Sequence, residues 1–228
     1  SQLIPESSLH DVIVGLSTQR KTTLRANTLK TDPTALYNQL ASSGIQLTPV
    51  PWYPCAFIVD NTALRTITEL PEYKDGKLYV QSLSSMIPPL VLDPKPSDKV
   101  LDIAAAPGSK TTQIATLMHN TGELVANDSS QTRSYRLQAN LRLQGATIAR
   151  TLKLDGRSLW TKYPEYFDKT LVDVPCSMEG RFYTHDPQSF EDWSLKKVHD
   201  LSTLQRFLLR SAISATKPGG TIVYSTCT

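Results

Sequence analysis

The stretch KVLDIAAAPGSKT, residues 99–111, carries the reading of the fold. A short apolar run ends in an acid, Asp102. A turn of small residues follows and then opens into TTQIATLM, a helical pattern. Working outward, ELVAND precedes a polar helical segment, and ATIARTLKLD and FDKTLVDV come after it. Apolar strands alternating with helices predict a parallel sheet with helical crossovers, and ligands of such sheets sit beyond the carboxyl ends of the strands. Asp102, Asp128, Asp155 and Asp173 fall at the ends of the first four strands. One of these could be a helix cap, but four in a row favour a ligand-facing rim.

The turn Ala104-Ala105-Ala106-Pro107-Gly108-Ser109-Lys110 narrows the ligand. A phosphate-binding loop needs glycines where Ala104 and Ser109 stand, and the dinucleotide pattern needs more glycine than Gly108 alone. What remains is a ligand with a modest anion for the helix amino terminus and a nucleoside whose ribose Asp128 can hold. S-adenosylmethionine meets both demands. Lys110 opens the helix, where positive charge is unfavourable, so a role in chemistry is preferred over a surface lysine.

Toward the amino terminus the pattern changes. TALYNQLASS, residues 34–43, reads as a helix stopped by Gly44, and IQLTPV, AFIV and KLYVQ read as short strands. A boundary near residue 76 divides a small α/β unit, 1–75, from the sheet unit, 76–228. From Ser82, SLSSMIPPLVL reads as a helix and DPKPSD as a connector. Between residues 177 and 193 lies a polar and aromatic stretch without regular period. Beyond it Leu195, Val198, Leu201, Leu204 and Leu208 mark the core face of a long helix.

Bulk properties exclude more than they assign. No run of about 18 apolar residues is present, and the start lacks a secretory layout, so an intracellular, cytoplasmic protein without a membrane span is expected. Three cysteines, Cys55, Cys176 and Cys227, are odd in number and widely spaced, which suggests free thiols, no disulfide framework and no metal site. A net charge of +3 is compatible with RNA but does not require it. Basic residues gather at Arg20, Lys21, Arg25 and Lys30 and again at Arg133, Arg136, Arg142 and Arg150. Most of these are expected to be solvated.

QSLSSMIPPL, DIAAAPGSKT, DVPCS, KPGG and YSTCT, in this order and spacing, resemble the Sun/NSUN family of RNA cytosine-5 methyltransferases. LRANTLK is similar to that family's amino-terminal segment and, with the alanine-rich turn, favours its bacterial ribosomal-RNA branch over transfer-RNA enzymes. The resemblance implies a class I methyltransferase, Rossmann-like and mostly parallel, with helices on both faces, preceded by a small α/β domain that meets RNA. It implies S-adenosylmethionine held by Ala104 to Gly108, Lys110, Asp128, Arg133, Asp155 and Asp173. By the same resemblance Cys227 attacks the base, Cys176 assists product release, and Lys110 and Asp173 complete the catalytic set.

The chemistry accounts for such a set, because carbon 5 of cytosine is a poor nucleophile until a thiolate adds to carbon 6. Asp173 would manage a proton at ring nitrogen 3, and Lys110 is the cation nearest to hand for the Cys227 thiolate. Arg181, Phe182, Tyr183 and His185 are candidates for RNA contact. The chain departs from the family's C-S-G-x-G form, with Met178 at the first glycine. Since it stops at Thr228, just past the expected nucleophile, a truncated sheet with an open edge strand at 221–224 is expected. A monomer is expected as well. Alternative readings are an RNA-binding scaffold that has the fold without the reaction, a DNA or small-molecule methyltransferase, and a nicotinamide-dependent oxidoreductase.

Overall fold

A computed structural model describes residues 5–227. The decisive stretch forms strand and helix as expected from its pattern. In chain order the elements are α1 (Glu6–Ser17), β1 (Thr22–Ala26), α2 (Pro33–Ser42), β2 (Leu47–Pro49), β3 (Ala56–Val59), α3 (Ala63–Glu69), α4 (Pro71–Lys74), β4 (Leu78–Val80), α5 (Leu83–Leu92) and β5 (Lys99–Asp102). They continue with α6 (Ser109–Leu117), β6 (Glu123–Asn127), α7 (Gln131–Gln144), β7 (Ala149–Leu152), β8 (Phe167–Asp173), α8 (Leu195–Ala215) and β9 (Thr216–Ser225).

The second sheet has the order β7-β6-β5-β8-β9 and is parallel throughout. Its strands alternate strictly between two cores. Val100, Leu124, Ala126 and Leu171 pack with Leu92, Ile114, Met118, Leu137 and Leu141 from α5, α6 and α7 and the residue just past α6. On the other face Leu101, Val125 and Val172 meet Leu208, Ala212 and Ala215 of α8. Strands buried on both faces have little solvated side, which is why the centres of β5 and β6 are apolar, while β8 carries Asp168, Lys169 and Thr170 before its apolar end. The expected α/β architecture with helices on both faces is thus present.

Local chemistry sets the helix ends. Gly108 enters α6 at φ +107°, a left-handed conformation that glycine adopts at little cost. Ser130 caps α7 by accepting from the Arg133 amide, and Gly145 ends it at φ +71°. The leucine stripe expected along α8 holds only in its second half. Leu208 is buried, and Leu204 packs beside it, but Leu195 is 67% exposed. The first turns of α8 extend past the sheet, so that part of the stripe has no core to face.

The first unit is a four-stranded antiparallel sheet, β2-β3-β1-β4, packed on α2 and α3 through Leu24, Leu36, Leu40, Phe57, Ile67 and Leu78. The boundary expected near residue 76 falls just before β4, which pairs with β1. Leu24 lies opposite Val80 and Ala26 opposite Leu78, so β4 belongs to the first sheet. Helices α1 and α3 and strand β1 go beyond the expected elements; LRA of LRANTLK is the end of β1.

The two units meet along a polar seam. Asn27 donates to the carbonyls of Gly76 and Gln144, both at 2.8 Å, and Lys30 donates to Asp75 and Leu143, both at 2.7 Å. Gly76 sits at φ +71°, and a Cβ there would come 2.1 Å from the Leu143 carbonyl oxygen. The turn can touch the end of α7 only because it carries no side chain. We predict that Gly76→Ala lowers unfolding free energy by about 2–4 kcal/mol, combining left-handed backbone cost with displacement of α7. Urea titration checks this, and a loss below about 0.5 kcal/mol would show that the seam tolerates separation.

Candidate active site

The turn after β5 is held from three directions. Ala105 donates its amide to Asn127 of β6 at 2.8 Å, Arg133 donates to the Ala106 carbonyl at 2.9 Å, and Asn140 donates to the Pro107 carbonyl at 2.8 Å. This cradle opens on a cavity of about 480 Å³ lined by Ala104, Ala105, Ala106, Pro107, Lys110, Asp173 and Cys176, among others. Small side chains leave the backbone accessible, and α6 presents its amino terminus at the same place.

The four rim acids divide in the structure. Asp173 and Asp102 line the cavity, whereas Asp128 and Asp155 do not. The Asp128 side chain is 4% exposed, with Arg133 at 3.2 Å, the Ala106 amide at 3.3 Å and the Ser130 amide at 3.0 Å. Arg133 covers it from the cavity side. Asp155 turns toward Arg157 at 2.6 Å and caps the short 3₁₀ helix Gly156–Thr161, outside the cradle. A cap, the ordinary role of an acid after a strand, is what the structure gives Asp155.

Lys110 and Asp173 form the centre of the constellation. Lys110 donates to Oδ2 of Asp173 at 2.6 Å, and Ser225 donates to Oδ1 at 2.7 Å. The ammonium expected beside Cys227 is thus engaged by the carboxylate. Ser225 carries no signal of its own in the sequence, although it lies in YSTCT; its role depends on β9 pairing with β8 so that Ser225 sits opposite Asp173.

Cys176 and Cys227 are joined as a disulfide, with Cα atoms 6.4 Å apart. This corrects the expectation that all three cysteines are free. The reason is register: Val174 donates to the Ser225 carbonyl at 3.1 Å, so the chain beyond β8 runs beside the chain beyond β9. Two cysteines 51 residues apart in sequence are thereby brought within the Cα separation that a disulfide requires. Cys55 remains a thiol in the first unit, where burial pushes its pKa up.

A second cavity of about 590 Å³ meets the first at Lys110, Asp173 and Cys227 and adds Arg20, Ser84 and Gly180. Arg181 lines both. Its neighbours are used otherwise: Phe182 packs edge-on against Phe190, and Tyr183 against His185. Met178 adopts φ +70°, a conformation natural for the glycine of the family form it replaces. Glu179 steadies this loop, accepting from Ser177 and from the Trp193 indole, both at 2.7 Å.

Asp102 is wholly buried at the rim. Thr111 donates to its Oδ2 at 2.7 Å, but among the described residues Oδ1, shut off from solvent, has no hydrogen-bond partner. Burial pushes its pKa up to about 7. Since the unfolded value is near 3.8, the folded protein holds this proton more tightly, and stability falls as pH rises through the window from about 4 to about 7. Asp102→Asn removes the ionisation. We predict that the wild type loses about 2–3 kcal/mol relative to this variant between pH 5 and pH 8. Chemical denaturation at both pH values reads the difference; a pH-independent gap would mean that Asp102 is charged throughout.

Comparison with known proteins agrees with this geometry. Residues 89–228 match the family model described as 16S rRNA methyltransferase RsmB/F, and residues 1–83 match the N-terminal domain of 16S rRNA methyltransferase RsmF. Ribosomal RNA small subunit methyltransferase F of Cronobacter sakazakii is 40% identical over 97% of this chain and 47% of its own length. Its counterpart in Shewanella amazonensis is 39% identical over 100% and 49%, so the chain spans about half the length of these curated relatives. A crystal structure of a methyltransferase homolog from Pyrococcus horikoshii superposes with a TM-score of 0.81 at 32% identity, covering 95% of this chain and 67% of that one. The RsmB/F model matches residues 89–228, more than half of the chain, and the chain belongs to the RsmB/F family of 16S rRNA methyltransferases.

Proposed function

We propose that the protein methylates carbon 5 of a cytosine in RNA, with ribosomal RNA favoured over transfer RNA, using S-adenosylmethionine and a covalent bond to Cys227. The observation that carries this reading is the meeting of Cys227, Cys176, Lys110 and Asp173 at the edge of the alanine cradle. The names of the curated relatives support a ribosomal RNA substrate.

The cradle suits the cofactor. Its small residues admit a ligand to the backbone, and the α6 amino terminus faces a carboxylate. Arg133 swings off Asp128 to free that carboxylate for ribose hydroxyls, a movement available to a side chain that is half in solvent. When bound, the sulfonium supplies the methyl group.

The residues of the chain divide the reaction. With the cysteine pair reduced, the Cys227 thiolate adds to carbon 6 of the ring, and electron density shifts to carbon 5 and nitrogen 3. Asp173 faces nitrogen 3 and relays to it a proton that Lys110 supplies through the 2.6 Å bond. Ser225 keeps the carboxyl in place. Carbon 5 then takes the methyl group. A base then takes the remaining proton of carbon 5 with the help of Cys176, the Cys227 sulfur departs as a thiolate as the carbon 5–carbon 6 double bond re-forms, and nitrogen 3 returns its proton to Asp173. The target base must be unpaired or turned out of a helix, since both its faces and one edge are used.

Four outcomes are expected with intact protein, RNA and labelled S-adenosylmethionine, the variants being assayed reduced. Cys227→Ala forms no RNA adduct and lowers methylation at least about 10³-fold, while Cys176→Ala accumulates a stalled adduct on a denaturing gel. Lys110→Met lowers the rate about 10²–10⁴-fold. Activity also depends on prior thiol reduction, because the disulfide occupies both sulfurs. Adducts in the reverse pattern would exchange the cysteine roles. RNA binding without methylation after reduction would favour the inert scaffold, and equal turnover on matched DNA would overturn the RNA assignment.

A further inference from the structure

The second cavity has charge that the proposed chemistry does not use. Arg20 and Arg181 both line it together with Cys227, and among the described residues neither guanidinium is in an ion pair. The carboxylate at this cavity, Asp173, is already engaged by Lys110 and Ser225. Two cations therefore face a space whose anion is satisfied elsewhere.

Both arginines are placed by their backbones. Arg20 lies between α1 and β1, where Asn61 donates to its carbonyl at 2.8 Å and accepts from the Thr22 amide at 2.6 Å. Arg181 closes the short turn Glu179–Arg181, steadied by the two bonds to Glu179. A direct link couples the two segments: Thr184 donates its amide to the Leu16 carbonyl and its hydroxyl to Ser17, both at 3.0 Å. The loop with Arg181 is thus fastened to the helix that leads to Arg20.

We propose that Arg20 and Arg181 form a clamp for the RNA phosphates flanking the target cytosine, one arginine from each unit. This rests on the RNA substrate proposed above. A base that offers carbon 6 to Cys227 brings its own phosphodiesters to the mouth of the same cavity, and guanidinium groups bind phosphate oxygens in pairs of hydrogen bonds. Spanning the two units, the clamp holds the nucleotide in register for attack. Phosphate contacts of this kind position the strand without reading its sequence.

The test is the salt dependence of binding to a single-stranded, cytosine-containing RNA oligonucleotide by the intact protein. Removing one arginine–phosphate pairing flattens the slope of log affinity against log salt by about 0.7, so Arg20→Gln and Arg181→Gln each flatten it by about that much and the double variant by about 1.4. The KM for RNA is expected to rise about tenfold per substitution, with the affinity for S-adenosylmethionine unchanged. Arg20→Lys and Arg181→Lys restore the slope because charge is kept. Arg65→Gln, at an exposed position of α3, serves as the control and leaves the slope unaltered. A double variant with the wild-type slope overturns the clamp, as does a fall in cofactor affinity instead, which would assign the arginines to the cofactor carboxylate. If the wild type neither methylates nor binds RNA, the functional reading itself fails and the clamp falls with it. Methylation by a wild type whose double variant keeps the slope overturns the clamp alone.

Discussion

Asp173 joins three parts of the chain that have no local reason to meet. Its Oδ2 accepts from Lys110 at the start of α6, and its Oδ1 from Ser225 at the end of β9. Charge-assisted bonds in a partly buried setting are stronger than the same bonds in water, so this junction resists rearrangement. Everything reactive is measured from it. Cys176 lies three residues beyond Asp173, past the end of β8, and Cys227 two residues beyond Ser225, past the end of β9. The parallel register of β8 and β9 therefore does more than complete a sheet, since it sets the spacing of two sulfurs relative to a carboxylate and an ammonium.

A second constraint comes from the first unit. Arg25 on β1 is wholly buried, and its guanidinium donates to Gln81 at 2.8 Å and to Thr112 of α6 at 2.9 Å. Gln81 in turn donates to Gln113, which donates to the Met86 carbonyl, each at 2.9 Å. Burial lowers the Arg25 pKa, yet the tyrosines and cysteine around it favour the charge. Such a network binds the first sheet to the helix that carries Lys110. The small unit is thereby a wall of the cavity, and Arg20 lines the neighbouring one.

Much of the fold was legible in residues 99–174, because strands buried on both faces are mainly apolar and so show as short apolar runs ending in acids. The helix ends at Gly44 and Gly108 were legible for a related reason: a positive φ is costly to any residue with a Cβ. The first unit was harder. Its strand β1 contains Arg25, a charge whose burial depends on partners 56 and 87 residues away, and no local pattern contains such partners. β4 was visible as a strand, but its sheet was settled only by pairing with β1. Likewise the stripe on α8 had the right period, but periodicity cannot say where the sheet beneath it stops.

At the rim, the sequence by itself determined the chemical inventory: the small-residue turn, Lys110, Asp173 and two cysteine motifs just past strands. Only the tertiary structure decided how they are shared. It paired Lys110 with Asp173, placed Ser225 on the opposite oxygen, joined Cys176 to Cys227, turned Asp155 away toward Arg157 and brought Arg20 to the second cavity. The physical reason is that residue type and local spacing fix what a segment can do, whereas the partner of each charged or nucleophilic group depends on strand order and register. Those are properties of contacts between distant segments, and they exist only once the sheet has formed.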